Sequence, residues 1–242
     1  MAHATARRST LAVPASSQRM LEKAKGLATD AAFLDLEDSV SPLAKDQARS
    51  NAIGALVDGG FGQETLSVRV NAVTTQWHEE DLTAVVRGAP GRFNAFVLPK
   101  VQQAADILAV AARLEVLEQE AGLPVGSIGI EAQIEDARGL VNVDQIAAAS
   151  PRLQSLIFGP ADFMASINMR SLVVGLQPPG YPEGDAYHYV LMRILVAARA
   201  FGIQAIDGPY LGIKDLDGLR TTARRSADRK STRLNSSHTD IS

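Results

Sequence analysis

The sequence predicts an α/β fold in which parallel strands close into a barrel, and three observations lead to this prediction. Short apolar runs alternate with longer segments whose apolar residues recur at i, i+3 and i+4, a pattern typical of strand–helix units with parallel strands. Polar residues end one strand after another, as expected where all the strand ends meet on one face. The first strand is followed by no glycine-rich phosphate loop, which a doubly wound sheet usually carries. We therefore expect a TIM (β/α)8 barrel rather than a doubly wound sheet.

Seven segments have the length and composition of buried strands. In chain order they are STLAVPA (9–15), AFLDLED (32–38), TLSVRVN (65–71), AFVLPK (95–100), SIGIEAQI (127–134), LQSLIFG (153–159) and QAIDGPY (204–210). The helix-period segments between them are SQRMLEKAKGLA, SPLAKDQARSNAIGALVDG, TQWHEEDLTAVVRGA, VQQAADILAVAARLEVLEQEAG, NVDQIAAAS and AYHYVLMRILVAARAFG. Each helix therefore serves as the crossover between two parallel strands.

An eighth strand is not evident in the sequence. After residue 228 the chain reads RKSTRLNSSHTDIS, which is polar, rich in Ser and Thr, and without periodicity. We expect this segment to supply no buried strand and to be a vector or adapter read-through. The prediction is therefore a single barrel domain over residues 1–228, truncated before strand 8 and its lid, with a non-native tail at 229–242. A natural disordered terminus is the alternative.

Composition excludes several classes of protein. The chain of 242 residues has 24 Lys and Arg against 27 Asp and Glu, which is not the basic footprint of a nucleic-acid binder. It has no cysteine, so a thiolate metal site and a cysteine nucleophile are excluded, and its four histidines are scattered. No stretch reaches the roughly 18 apolar residues of a membrane span, and we read no signal peptide. We expect a cytoplasmic protein.

Two carboxylates follow consecutive strands and are the candidate metal ligands. Glu135 comes after the fifth strand and Asp162 after the sixth, so they should lie side by side at the barrel mouth. Adjacent carboxylates repel each other unless a cation holds them. Oxygen ligands without His or Cys point to a hard cation, most simply Mg²⁺. For Asp162, the alternative is an N-cap after Gly-Pro.

Charged residues end the second, third and fourth strands. Arg69 is costly to bury without an anionic partner, and its planar fork suits a carboxylate or a developing enolate oxygen. An ion pair with Glu37 is the alternative. Glu37 and Asp38 are expected to hold Arg69 or a metal-bound water, one pointing inward and the other capping the next turn. Lys100 offers a charge to a substrate carboxylate or phosphate, balances the acids, or, less simply, forms a Schiff base.

Three further features have two interpretations each. Arg7 or Arg8 of the N-terminal RRST is a candidate for contact with ligand phosphates, and a solvated arginine is the alternative. Asp207 ends the seventh strand, either supporting the site or forming a turn. The long segment 164–189, rich in Gly and Pro, is either a binding loop or a surface excursion.

Five ordered motifs carry a resemblance to a known family. FLDLEDSVSPLAKDQAR, SVRVN, VLPKV, IEDARGL and FGPADFMASI resemble landmarks of the HpcH/HpaI aldolase and citrate lyase β-subunit family, in particular its malyl-CoA lyase and citrate-lyase-like branch. The likeness runs from about residue 8 to residue 228. The motifs are specific for the family and much less so for the substrate.

The resemblance implies a TIM barrel that assembles into a homo-oligomer, a trimer or hexamer. It implies Mg²⁺, or Mn²⁺ in its place, bound by Glu135 and Asp162, with Arg69 in contact with the substrate near the reacting carbonyl. The implied reaction is reversible carbon–carbon cleavage of a 3-hydroxyacyl-CoA thioester. Malyl-CoA would give acetyl-CoA and glyoxylate, and citramalyl-CoA would give acetyl-CoA and pyruvate, so an acyl-CoA and a small 2-keto acid are the expected partners.

The chain departs from the family pattern in one respect, and three other functions are possible alternatives. Members of this branch carry a C-terminal segment that covers a neighbouring subunit's site and supplies an acid–base carboxylate. We expect the chain as written to lack it and to be poorly stable and inactive. The other functions are an aldolase of free 2-keto and 2-hydroxy acids, a citryl-thioester lyase subunit and a non-catalytic thioester-binding regulator.

Overall fold

Seven strands lie where the sequence predicts them. The computed structural model describes residues 7–170, 186–212 and 214–228, together with the backbone of 232–236. The strands are β1 (Ser9–Pro14), β2 (Ala31–Asp35), β3 (Thr65–Arg69), β4 (Ala95–Leu98), β5 (Gly129–Ile134), β6 (Leu153–Phe158) and β7 (Gln204–Pro209). All neighbouring pairs from β1 to β7 are parallel, so their carboxyl ends share one face.

Helices connect these strands, and most coincide with the helix-period segments. They are α1 (Gln18–Lys25), α2 (Lys45–Asp58), α3 (His78–Gly88), α4 (Ala104–Glu120), α5 (Ala137–Val141), α6 (Val143–Ala147), α7 (Pro160–Ser166), α8 (His188–Ala200) and α9 (Leu216–Asp228). A 3₁₀ turn, Pro42–Ala44, precedes α2. The helix-period segments do not include α5, α7 and α9. The first two have one or two turns and are too short to show a period, whereas α9 has 13 residues and was not predicted.

An eighth strand closes the sheet, which corrects the expectation that the segment after residue 228 supplies none. The backbone of β8 (Thr232–Ser236) pairs in parallel with both β7 and β1, and the strand order is that of a closed barrel. Polarity misled the prediction because sheet pairing uses backbone groups. The N–H and C=O groups at the edges of β1 and β7 can pair with any extended segment that lacks proline.

Two layers of side chains fill the space inside and outside the sheet. Inside the barrel, Phe33, Val97, Ile157 and Ile206 form a buried layer with Ala12 against it. Outside, the strands bury a continuous core against the helices, for example at Leu34, Phe96 and Leu114. Burying a side chain of this size contributes about 1.5–3 kcal/mol, so this packing holds the strand ends in place.

Polar side chains occupy every second position along β5 and the residue that follows it, so they line the inside of the barrel from one end to the other. Glu131 and Gln133 are buried within the strand, and Glu135 follows its last residue at the carboxyl end. At the amino end, Glu131 pairs with Arg7, and both side chains are almost fully buried. The two-residue period of a strand therefore places Glu135 at the mouth of the barrel. Among the described residues, no helix is both long and apolar enough to cross a membrane.

Candidate active site at the carboxyl ends of the strands

Seven charged side chains meet at the carboxyl ends of β2 to β6, and we call them the strand-end cluster. Its members are Asp35, Glu37, Asp38, Arg69, Lys100, Glu135 and Asp162. Six of these seven are residues that the sequence predicts for the site. The barrel brings them together because neighbouring parallel strands end at the same level.

The centre of the cluster is a two-pronged ion pair between Arg69 and Asp35. Arg69 Nε and Nη2 donate to the two carboxylate oxygens of Asp35, each at 2.7 Å. The β2–β3 register places the two residues directly opposite each other. Burial raises the pKa of Asp35, but the charge and hydrogen bonds of Arg69, with further bonds from Ser39 and the Glu37 backbone, outweigh it and hold that pKa at about 2. The pair fixes the plane of the guanidinium and leaves Nη1 facing the barrel mouth.

Glu37 lies beside this free edge of Arg69. Its Oε2 is 3.3 Å from Arg69 Nη1, and its Oε1 is bonded to Lys100 Nζ. Burial raises the pKa of Glu37, although the charges of Arg69 and Lys100 oppose the shift. Asp38 is more exposed and lies 3.4 Å from Lys100 Nζ. Of the two interpretations for Arg69, the ion pair with Glu37 is therefore present, but Asp35 is its principal partner.

Glu135 is buried next to the backbone of the neighbouring strand ends. Its Oε1 accepts a hydrogen bond from the Lys100 backbone N–H at 2.6 Å. Burial first, and then the charge of Glu37, raise its pKa to about 8. A Cβ on Gly159 would lie 2.4 Å from Glu135 Oε2, so only glycine leaves room for this carboxylate.

Asp162 lies in the first turn of α7 and does not cap that helix. The N-cap is Gly159, and no side chain caps the helix, so the N-cap alternative for Asp162 is wrong. Asp162 Oδ2 is 3.1 Å from Lys100 Nζ, yet within the described structure it makes no hydrogen bond of acceptable geometry. Glu37 Oε2 is likewise a buried oxygen without a hydrogen bond.

The donor set of the cluster fits a divalent cation that keeps some ligands from outside the protein. Five carboxylates face Arg69 and Lys100, and the Lys45 ammonium lies behind them. Two of their oxygens, Glu37 Oε2 and Asp162 Oδ2, are buried and lack a hydrogen bond, although Arg69 Nη1 and Lys100 Nζ lie within ion-pair distance of them. Among the described residues, no group of three or more carboxylate or imidazole side chains could hold a metal ion. A cation held by Glu135 and Asp162 would therefore need water or substrate oxygens to complete its coordination.

A buried network behind the cluster holds the chain that carries Glu37. Lys45 Nζ donates to the carbonyl oxygens of Leu36 and Glu37, each at 2.8 Å, and lies over the ring of Trp77. Asn71 Nδ2 donates to the same Leu36 oxygen and to Asp81. The asparagine of the RVN motif is therefore a scaffold residue, and Lys45 secures the turn after β2.

Two sequence-predicted residues lie away from the cluster. Arg8 precedes β1, pairs with Asp30 before β2, and has a side chain that is 88% exposed. Because it is at the amino end of the strands, the expected contact of Arg8 with a ligand at the active face is wrong. Asp207 accepts hydrogen bonds from Gly208 N and from Ser226 Oγ in α9, which is a structural role. Within the expected loop at 164–189, residues 171–185 lie outside the described residues.

The sequence analysis missed three residues that support the site. Asp35 lies two residues after the inward-facing Phe33 and so shares its face, which is a signal in the sequence, whereas its position opposite Arg69 depends on the β2–β3 register. Gln133 shares the inward face of β5, and its Oε1 lies 3.5 Å from Arg69 Nη1. Lys45 carried no signal, because a lysine near the start of a helix is usually solvated.

Comparisons with known proteins identify the family to which the chain is similar. A family profile described as HpcH/HpaI aldolase/citrate lyase matches residues 8–231. The chain is 39% identical over 222 residues to an L-malyl-CoA/beta-methylmalyl-CoA lyase of Cereibacter sphaeroides, covering 88% of this chain and 70% of that protein. It is 36% identical over 221 residues to a (3S)-malyl-CoA thioesterase of the same organism, covering 91% of this chain and 69% of that protein. Among solved structures, it resembles a citrate lyase beta subunit complexed with oxaloacetate and magnesium from M. tuberculosis, with a TM-score of 0.78, 29% identity, and coverage of 98% of this chain and 93% of that one. The matched range includes the whole strand-end cluster.

Proposed function

The chain belongs to the HpcH/HpaI aldolase/citrate lyase family and is an enzyme of this carbon–carbon lyase type, and on this premise we propose that it cleaves malyl-CoA or a close analogue. The products would be acetyl-CoA and glyoxylate, with citramalyl-CoA as the analogue that gives pyruvate. The proposed metal is Mg²⁺, with Mn²⁺ as a substitute, and the proposed ligands are Glu135 and Asp162. We also propose a homo-oligomer.

One observation carries the proposal: an oriented guanidinium and an excess of carboxylates share one barrel mouth. Arg69 is locked by Asp35 on two of its nitrogens and presents Nη1 to the space beside Glu37. A donor held in advance, in a site with little water, stabilises a developing oxyanion without reorganisation during the reaction. A thioester enolate is such an oxyanion, and it forms when the carbon–carbon bond breaks.

The proposed steps conserve atoms and charge. Glu37 Oε2 takes the proton from the substrate hydroxyl, and the carbinol carbon becomes the carbonyl of the keto acid. The bond from that carbon to the methylene breaks, and its electron pair moves to the thioester enolate, whose oxygen Arg69 stabilises. The methylene then takes back, directly or through water, the proton that Glu37 accepted, which gives acetyl-CoA and restores the Glu37 carboxylate. When bound, a divalent cation would supply a Lewis acid for the hydroxyl and carboxylate oxygens.

The test measures both products of malyl-CoA cleavage, acetyl-CoA by chromatography and glyoxylate as its phenylhydrazone. We expect both products in equal amounts with Mg²⁺ and none with EDTA. Replacing Arg69 with Lys should lower kcat by about 10²–10³, as removal of an oxyanion donor does. Arg8→Ala is the matched control and should change nothing. Equal activity in EDTA would contradict the metal, and activity unchanged in Arg69→Lys would contradict the role of Arg69.

A thioesterase is the second candidate, because one relative at 36% identity bears that name. Hydrolysis of malyl-CoA would release free CoA thiol and malate, whereas cleavage releases neither. A thiol-reactive dye in the same assay separates the two reactions directly. If neither occurs in folded protein, free 2-keto acids become the next substrates to test, followed by citryl thioesters and binding without turnover.

A further inference from the structure

We propose that the Lys100 ammonium is a built-in counter-ion of the metal site, which holds one of the two ligand carboxylates, Asp162, and competes with the divalent cation for it. The inference rests on the proposed function, because it takes Glu135 and Asp162 as the metal ligands. It adds a role for Lys100 in setting metal affinity. It also predicts that, without metal, the Lys100 ammonium stabilises the folded protein by neutralising part of the negative charge of the strand-end cluster.

Lys100 contacts both proposed ligands at once. Its backbone N–H donates to Glu135 Oε1 at 2.6 Å, and its Nζ lies 3.1 Å from Asp162 Oδ2. The same Nζ is bonded to Glu37 Oε1 and lies 3.4 Å from Asp38 Oδ1. A small cation bound between Glu135 and Asp162 would therefore compete with the Lys100 ammonium for the Asp162 carboxylate.

The backbone of Lys100 is held in an unusual conformation that makes this reach possible. Its φ is 55°, in the left-handed region that residues with a Cβ seldom occupy. Such a conformation persists only where surrounding contacts determine it, and it concentrates at functional sites. Here it turns the N–H toward Glu135 while the side chain passes toward Asp162.

The charges explain why the chain would keep a tethered cation here. Glu37, Asp38, Glu135 and Asp162 repel one another, and Arg69 is already occupied by Asp35 on two nitrogens. A lysine attached to the chain neutralises part of this charge without having to be captured from solution. When a divalent cation binds, Lys100 has to leave Asp162, and its 38% exposed side chain can then turn toward an anionic group of the substrate.

The experiment measures metal binding rather than turnover. Mn²⁺ binding by electron paramagnetic resonance and Mg²⁺ binding by calorimetry are compared for the full chain, Lys100→Met, Lys100→Gly and a matched control, Lys25→Met. Lys25 forms an ion pair with Glu22 in α1, outside the strand-end cluster. Thermal melts in EDTA and in Mg²⁺ accompany each titration. Lys100→Gly keeps the left-handed backbone accessible, so it reports on the charge even if Lys100→Met folds poorly.

We expect Lys100→Met and Lys100→Gly to bind either metal at least about tenfold more tightly, because a unit charge close to the site no longer opposes the ion. Both variants should melt lower than the parent in EDTA and gain more from Mg²⁺. Equal or weaker metal binding by the folded variants would overturn the role of Lys100 while leaving the metal site intact. Absence of metal binding in the parent and in both variants would overturn the metal site, and this inference with it. Binding by the variants alone would support the competition directly.

Discussion

Replacing Asp35 with Asn tests whether one buried ion pair organises the site. Asp35 is 1% exposed, and it holds Arg69 by two bonds while accepting bonds from Ser39 and from the Glu37 backbone. The change preserves the shape of the side chain and removes its charge. Arg69 would then keep Glu37, 3.3 Å from Nη1, as its nearest carboxylate.

The expected loss of stability is large because the partner charge stays buried. Breaking a buried ion pair from one side costs about 3–5 kcal/mol. The depressed pKa of Asp35 gives an independent figure of about 2–3 kcal/mol, since it falls from 3.8 to about 2 on folding and one pKa unit is worth about 1.4 kcal/mol. The mutation should exceed the titration figure, because it also weakens the hydrogen bonds to the turn after β2.

Urea unfolding followed by circular dichroism measures this loss, with Asp30→Asn as the control. Asp30 also has a pKa lowered to about 2, chiefly by hydrogen bonds from Arg8, but its partner is exposed. An exposed ion pair contributes at most about 1 kcal/mol, so Asp30→Asn should scarcely change the free energy of unfolding. Malyl-CoA cleavage should fall sharply in Asp35→Asn and stay unchanged in Asp30→Asn.

The contribution of Asp35 to the free energy of unfolding depends on pH in a defined direction. Because the folded-state pKa of Asp35 lies below its unfolded value, its contribution is fully present above about pH 4 and is lost as pH falls toward about 2. The difference in stability between the parent and Asp35→Asn should therefore shrink over that interval. A loss below about 1 kcal/mol at neutral pH, the range of an exposed pair, or a difference that does not shrink in acid, would refute the reasoning.

Three further changes have defined outcomes. Gly159→Ala should displace Glu135, because the new Cβ would lie 2.4 Å from its Oε2, and metal affinity measured by calorimetry should fall while the fold persists. Lys45→Met removes two hydrogen bonds from a charged donor to the carbonyls of Leu36 and Glu37. Asn71 and the Val40 N–H still bond these two oxygens, so the loss is that of the bonds themselves, about 1.5–3 kcal/mol each, which urea unfolding would detect. A chain that ends at residue 228 loses β8 and exposes the edges of β1 and β7, so its melting temperature should fall by several degrees.

Each of these changes has a control and a contrary outcome. Gly54→Ala adds a Cβ that meets nothing within 4 Å, so its metal affinity should match the parent, and a Gly159→Ala variant that also matched would refute the steric argument. For Lys45, the comparison is Lys25→Met, since Lys25 pairs with the side chain of Glu22 and not with backbone carbonyls, and equal stability of the two variants would refute the role of Lys45. An unchanged melting temperature in the shortened chain would show that β8 adds nothing to the barrel and would favour the prediction of a foreign tail at 229–242.

The sequence by itself determined the strands and most of the site. The period of two in the strands and the helix period between them identify seven of the eight strands, and a polar residue at each strand end identifies Arg69, Lys100 and Glu135. The reason is physical: apolar periodicity records which faces are buried, and a charge that interrupts it at a strand end needs a partner there. Such signals are local and can be read without knowing the neighbours.

Only the tertiary structure decided which charges meet. Asp35 is the partner of Arg69 because the β2–β3 register sets them opposite each other, and register depends on pairing between distant segments. Arg8 does not belong to the strand-end cluster because it precedes β1, at the amino end of the strands, where it pairs with Asp30. The eighth strand escaped prediction for the same reason, since backbone groups at two open edges, rather than the side chains of 232–236, account for its place in the barrel.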